Sequence, residues 1–325
     1  MEGDELCFPQ LNTSCRKLKR SHFEIVCTHV ILSSISLLTA ALNLLVIISI
    51  SHFKQLHTPT NLLLLSLAVS DFFVGLLVFF QITFIEGCWY FGDVVCVIYS
   101  VFDLVIVSSS VGTMVLISVD RYAAICYPLH YPTKVTQRRV QICVSLCWIC
   151  SLFYAALMMK DSRKQQGRLN SCIGECVIDF DLTKRFVDLM LTFFLPISVI
   201  IVLYLRVFVV AVSQARAMRS NITALTLQRS GKVTAKKSEL KAARTLGVVV
   251  LVFLTCFCPY FCVSLTDQEK MISYASFIFV GSLFYFNSCL NPIIYAFFYP
   301  WFRKSMKVIV TFQILTPGSC NANIL

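Results

Sequence analysis

VIYSVFDLVIVSSSVGTMVLI, residues 97–117, carries one charged side chain, Asp103. As an α-helix this stretch rises about 30 Å, the hydrocarbon thickness of a bilayer. A helix lying on a soluble core shows a polar face opposite an apolar one. This one is apolar nearly all round, so it reads as a membrane span. Working outward, six further blocks share that character, and the set lies near 25–51, 59–84, 95–119, 141–160, 185–212, 242–265 and 272–298. The chain of 325 residues is 57% hydrophobic and 14% charged, against about 25% charged in a soluble domain. The expected fold class is an all-α membrane protein, a seven-transmembrane helix bundle. Tyr299–Thr311 sets Phe302, Met306, Val308 and Ile309 against Arg303, Lys304 and Lys307, which suits a short amphipathic C-terminal helix on the bilayer surface.

Orientation follows from the basic residues. The loops after the first, third and fifth blocks and the tail, counted with the adjoining block ends, carry 17 of the 28, and the other side carries 11. This positive-inside bias places the N-terminus outside. The acids point the same way, since only Asp120 and Glu239 lie on the proposed cytoplasmic side. The net charge of +11 is thus a topology signal and not a nucleic-acid footprint. Met1–Glu24 has no apolar core, so the first helix is expected to act as an uncleaved signal. The organisation reads as an outer N-terminus over 1–24, a helical domain over 25–298, and an amphipathic helix with cytoplasmic tail over 299–325. Asn12-Thr13-Ser14 is an outer glycosylation sequon, whereas Asn221-Ile222-Thr223 falls in the fifth-to-sixth loop on the inner side.

Of the sixteen cysteines, Cys7, Cys15, Cys88, Cys96, Cys172 and Cys176 lie on the oxidising face. Spacing alone does not choose among their pairings. With no His or second Cys pair beside Cys172 and Cys176, a zinc knuckle is disfavoured.

Polar residues inside the blocks need partners. Asp71, Ser110, Asn287, Ser288 and Asn291, with Asn43, spread over helices one, two, three and seven. Such oxygen ligands suit a small hard cation such as sodium, or else a water-filled hydrogen-bond network. Two further acids are costlier to explain. Asp103 sits within the third block and Asp188 near the start of the fifth, just ahead of Leu195-Pro196. A carboxylate at the centre of a membrane helix costs about 2.5–3.5 kcal/mol on insertion scales. Facing one cavity, the pair would receive one or two positive charges. Tyr285 is placed to orient Asp103, and Leu104, Val107, Tyr260, Phe261 and Phe284 offer an apolar, aromatic trough between two ammonium groups. The competing reading pairs Asp188 with Lys184 or Arg185, its i−4 and i−3 neighbours.

Several motifs occur together and in order. Asp71 follows Leu-Ala-Val-Ser, Asp120-Arg121-Tyr122 precedes Cys126-Tyr127-Pro128-Leu129, and Trp148 lies in the fourth block. Pro196 and Tyr204 lie in the fifth, Cys256-Phe257-Cys258-Pro259-Tyr260 in the sixth, and Asn291-Pro292-Ile293-Ile294-Tyr295 closes the seventh. The chain resembles a rhodopsin-class G-protein-coupled receptor over its whole length. Asn287-Ser288 through Tyr299, Trp301 and Phe302 resembles the seventh-helix fingerprint of trace amine-associated receptors. That resemblance implies a protonated amine bound at Asp103, a heterotrimeric G protein as partner, and a plasma-membrane address. It implies that Arg121 alternates between the acids Asp120 and Glu239 and the G protein, and that Pro128-Leu129 docks on its α subunit. It also implies disulfides Cys96–Cys176 and Cys15–Cys172, a stimulatory G protein and an olfactory setting. Asp188, where catechol-type receptors place serines, implies recognition of linear diamines such as cadaverine or putrescine. Phe257 departs from the family by replacing a tryptophan, and Leu42 by replacing a glycine.

Other classes fare worse. An acid-lined transporter would show internal repeats, and none is visible. An intramembrane enzyme finds no support, because the five histidines do not cluster with a serine, cysteine or acid. A serotonin- or histamine-type monoamine receptor is the nearer alternative, against which Trp301-Phe302 counts.

Overall fold

The computed structural model describes residues 5–17, 21–84, 87–160, 172–176, 180–222, 247–248, 250–263 and 274–324. Membrane helices are α1 (His22–His52), α2 (Pro59–Phe84), α3 (Gly92–Cys126) and, after a single turn α4 (Tyr131–Lys134), α5 (Gln137–Met159). The fifth span is α6 (Leu182–Leu189) running through a π turn, Met190–Phe194, into α7 (Leu195–Ile222). Then come α8 (Val250–Val263) and α9 (Tyr274–Phe298). α10 (Pro300–Val310) lies beyond the bundle. The helices overrun the apolar blocks at several ends because polar turns continue past the hydrocarbon. Capping fixes three of the starts: Ser21, Thr136 and Asp181 each accept a backbone N–H of their own first turn. The π turn stands just before Pro196, whose missing N–H and bulky ring disrupt the regular ladder there.

α3 is the central helix and packs on α2, α5 and α7, while α1 and α2 both pack on α9. The core between them is made by Val46, Leu64, Leu67, Met114, Ile117, Phe253 and Tyr295. In lipid, close packing and buried hydrogen bonds replace the hydrophobic drive. Trp148 Nε1 donates to Ser66 Oγ at 3.1 Å, and Ser66 Oγ meets Thr113 Oγ1 at 3.2 Å, tying α5, α2 and α3. Ser36 Oγ donates to the Gly75 carbonyl at 2.7 Å. A Cβ on Gly75 would lie 2.7 Å from the Ala40 backbone nitrogen. Gly75→Ala should therefore push α1 from α2 and lower stability by about 1–3 kcal/mol. A melting temperature of the detergent-solubilised protein equal to wild type would contradict this close approach.

Each end of the bundle carries a covering. At the Asp103 end, the N-terminal segment folds back on itself, with Cys7 N donating to Cys15 O at 2.8 Å. It then pairs with the segment 172–176 through Cys15 N to Ile173 O at 2.9 Å. At the opposite end, the chain turns at Phe312 and returns beneath α1. His52 Nε2 meets Ser319 Oγ at 2.9 Å, and the Ile324 backbone nitrogen donates to Gln55 Oε1 at 3.2 Å. Ile324 is buried. α10 follows the amphipathic expectation, with Trp301 and Phe302 buried and Arg303 and Lys304 exposed.

Candidate functional site

The helix packing brings Asp103, on α3, opposite the aromatic ends of α8 and α9. Tyr285 Oη donates to Asp103 Oδ1 across a long 3.5 Å contact. Gln81, on α2, donates its amide to Tyr285 Oη at 2.9 Å and also to Tyr99 Oη. A relay therefore runs from Gln81 through Tyr285 to the carboxylate. Tyr99 stands one helical turn before Asp103, and Tyr260 lies within electrostatic reach of both Tyr99 and Tyr285. Neither Gln81 nor Tyr99 was singled out from the sequence. Gln81 was detectable as an amide inside an apolar block, the kind of residue that must find a partner in lipid.

The aromatic residues expected to line a trough pack on one another. Phe284 is buried, its ring centroid 4.8 Å from that of Tyr260. Phe261 stacks on Phe193 at 4.4 Å. Phe257, standing where the resembled family has tryptophan, packs 4.4 Å from Phe284 and 4.1 Å from Phe253. Val107 packs against the core, and Leu104 is partly buried on α3. Asp188 lies on α6, near enough to Asp103 for the two charges to interact. Its Oδ1 accepts the hydroxyl of Tyr154, on α5. Lys184 Nζ donates to the Met158 carbonyl at 2.9 Å, and Arg185 Nε to the Phe180 carbonyl at 3.0 Å.

Three disulfides close this end: Cys96–Cys176, Cys15–Cys172 and Cys7–Cys88. Cys96 is buried with Trp89 and Tyr99, so its bond pins segment 172–176 directly over the turn that leads to Asp103. The third bond was not chosen from the sequence, and it gives the N-terminus a second anchor. Losing Cys176 should therefore impair folding or response more than losing Cys172, since Cys7–Cys88 still holds the N-terminus in the latter case. A disulfide closing a long loop contributes typically about 2–4 kcal/mol. Surface expression of Cys176→Ala equal to or above that of Cys172→Ala would reverse this ranking. Asn12 is exposed on this face.

Midway along the bundle, Ser288 Oγ donates to Asp71 Oδ1 at 2.8 Å and Asn291 Nδ2 to Asp71 Oδ2 at 2.7 Å. Asn43 Nδ2 ties the same place together through the Ser288 carbonyl at 2.9 Å. Ser110, on α3, and Asn287, next to Ser288 in the chain, are buried as well. The side-chain oxygens of Asn43, Asn287 and Asn291 are buried without a hydrogen-bond partner. Buried carbonyl oxygens beside a carboxylate are a donor set that fits a hard cation.

At the far end, Arg121 donates through both Nε and Nη2 to Asp120 Oδ2, with Nε at 3.0 Å, and through Nη2 to Thr60 Oγ1. Tyr131 Oη donates to Asp120 Oδ1 at 2.7 Å. Asp120 is thus held by α2 and α4 as well as by its neighbour. Tyr204, Tyr295 and Tyr299 turn buried hydroxyls into the interior without a hydrogen-bond partner, and Arg121 lies within electrostatic reach of Tyr204 and Tyr299. Tyr122 packs edge-on to Tyr127 at 5.8 Å, Pro128 is exposed, and Leu129 is 88% exposed. Glu239 lies outside the described residues.

Residues 42–295 match the family model of the 7 transmembrane receptor (rhodopsin family). The chain is 41% identical to trace amine-associated receptor 13c of Danio rerio, covering 99% of this chain and 97% of that receptor. It is 38% identical to trace amine-associated receptor 8b of Rattus norvegicus, covering 98% and 96%, and 36% identical to trace amine-associated receptor 4 of Mus musculus, covering 98% and 95%. The chain belongs to the trace amine-associated receptors. It is thus a membrane-embedded, rhodopsin-class G-protein-coupled receptor and not a member of an enzyme family. Within such a receptor, Asp103 lies toward one end of the bundle and Arg121 toward the other, both on α3.

Proposed function

We propose that this receptor binds protonated amines at Asp103 and prefers linear diamines whose second ammonium meets Asp188. The observation that carries this reading is a carboxylate on α3 held by Tyr285 and a second on α6 held by Tyr154, with the rings of Phe284 and Tyr260 packed beside Tyr285. An ammonium needs a desolvated acceptor, and hydrogen bonds to charged groups contribute about 1.5–3 kcal/mol. The long Tyr285 contact leaves the Asp103 carboxylate with capacity for a ligand. The aromatic faces of Tyr99, Tyr260 and Tyr285 add attraction for a cation. The names of the relatives, trace amine-associated receptors, agree with an amine ligand.

The receptor is placed by this reading in the plasma membrane with its N-terminus and the glycosylated Asn12 outside. Arg121, Tyr122, Pro128 and Leu129 face a heterotrimeric G protein, taken by family analogy as a stimulatory one in an olfactory neuron. Release of Arg121 from Asp120, and from Glu239, would accompany outward movement of the sixth span. Asp71, Ser110, Asn287, Ser288 and Asn291 would hold a sodium ion, which would add positive charge beside a buried carboxylate.

One observation favours a second reading, a monoamine receptor. The Tyr154 hydroxyl already satisfies part of Asp188 without any ligand. The deciding experiment is a cAMP dose–response to linear diamines of graded length and to monoamines of matched length. Potency that peaks at a diamine supports the proposal, and equal potency for the monoamine of the same length favours the second reading.

A further inference from the structure

Tyr154 has no counterpart in the amine chemistry described so far, yet it touches the second acid. Two contacts one helical turn apart join α5 to α6. Tyr154 donates to Asp188 Oδ1, and Lys184 Nζ donates to the carbonyl of Met158. Tyr154 and Met158 are four apart on α5, and Lys184 and Asp188 are four apart on α6, so the two contacts form a short ladder between antiparallel helices. Just beyond Asp188 the helix widens into the π turn Met190–Phe194, and Thr192 Oγ1 donates to the Asp188 carbonyl at 2.7 Å. The backbone of Asp188 is thereby fixed by its own helix. Its carboxylate is fixed from across the interface.

We propose that Tyr154 is the positioning residue of the second ammonium subsite. This rests on the diamine reading. A carboxylate has two oxygens and room for several donors. Tyr154 engages Oδ1, which sets the rotamer, and the carboxylate keeps acceptor capacity for an arriving donor. A phenol hydroxyl also keeps the acid hydrogen-bonded when the ligand has no second ammonium. The unliganded receptor therefore carries a second acid that is aimed in advance, and a diamine finds it without reorganising the side chain. The phenol ring of Tyr154 is partly buried, as is Asp188, so water replaces this donor poorly.

The test uses the full-length receptor in cells, with Tyr154→Phe, Asp188→Ala and the double variant compared at matched surface expression. The probes are 1,5-diaminopentane and pentylamine. Tyr154→Phe keeps the ring and removes only the hydroxyl. It should weaken the diamine about tenfold and leave the monoamine within about twofold. In the Asp188→Ala background the same change should add nothing, because the group it positions is gone. A purely structural tyrosine would instead lower both ligands together, or act equally in both backgrounds, and either result overturns the proposal. If Asp188→Ala alone fails to separate diamine from monoamine, the diamine reading falls and this inference falls with it. If Asp188→Ala separates them and Tyr154→Phe does not, only the role of Tyr154 is refuted.

Discussion

Asp103→Ala abolishes the amine response while the receptor still reaches the cell surface. That is the expected result, and its size follows from where the acid sits. Asp103 lies one turn beyond Tyr99 on the central helix, at the end of the relay from Gln81 through Tyr285. An ammonium entering this place leaves water and must recover its hydration from the carboxylate. Removing one partner of a buried ion pair costs about 3–5 kcal/mol, because the other charge stays buried and unpaired. At about 1.4 kcal/mol per decade this is more than a hundredfold in potency. Folding should tolerate the change. Tyr285 and Tyr99 keep Gln81 as a partner, and an uncharged side chain at this depth relieves the cost of inserting an acid. Cell-surface labelling alongside a cAMP dose–response separates the two effects. A surface-expressed variant responding to amines at near wild-type potency would remove Asp103 from the binding site.

The architecture was largely legible because a bilayer imposes a coarse rule. A spanning helix needs about 20 apolar residues, and that signal does not depend on tertiary context. Asp103, Asp188 and Asp71 stood out for the same reason, as charges where none belongs. What was hidden is what polar groups do across helices. Nothing in the local sequence of α5 ties Tyr154 to Asp188, because a tyrosine on a membrane helix serves equally well as an apolar ring at the lipid boundary. Gln81 and Tyr99 join only when α2 and α3 are side by side. Cys7–Cys88 escaped because six cysteines leave many pairings, and only the hairpin of residues 5–17 brings Cys7 to the loop before α3. The cover of His52 and Gln55 by residues 319–324 escaped too, since a polar tail offers no periodic signal. The π turn at Met190–Phe194 had a visible cue in Pro196, but a proline in a span marks a distortion without specifying its kind.

Asp188→Ala should weaken an unbranched five-carbon diamine by at least about tenfold, or 1.4 kcal/mol, while the monoamine of equal length is unharmed or improved. The diamine reaches roughly 7.5 Å between nitrogens, counting six single bonds of ordinary length and angle. That reach suits carboxylates on neighbouring helices, one on α3 and one on α6. With both present, each ammonium has its own acid. With Asp188 gone, the second ammonium is left in a partly dry pocket with no anionic acceptor, and its desolvation is uncompensated. A monoamine never used Asp188. For it the substitution removes an acid that it does not meet, and removes the repulsion between two carboxylates that sense each other's charge. Shorter diamines should already be weaker at the wild-type receptor, because one end falls short, and should lose less on substitution. The competing view makes Asp188 a partner of Lys184 or Arg185 at the membrane edge. In the structure Lys184 donates to the Met158 carbonyl and Arg185 to the Phe180 carbonyl. A structural acid, once removed, would loosen α6 for every ligand alike. The dose–response curves decide between them: parallel loss of diamine and monoamine potency would make Asp188 structural and end the diamine proposal, whereas loss confined to diamines, graded with chain length, is the signature of a second ammonium site.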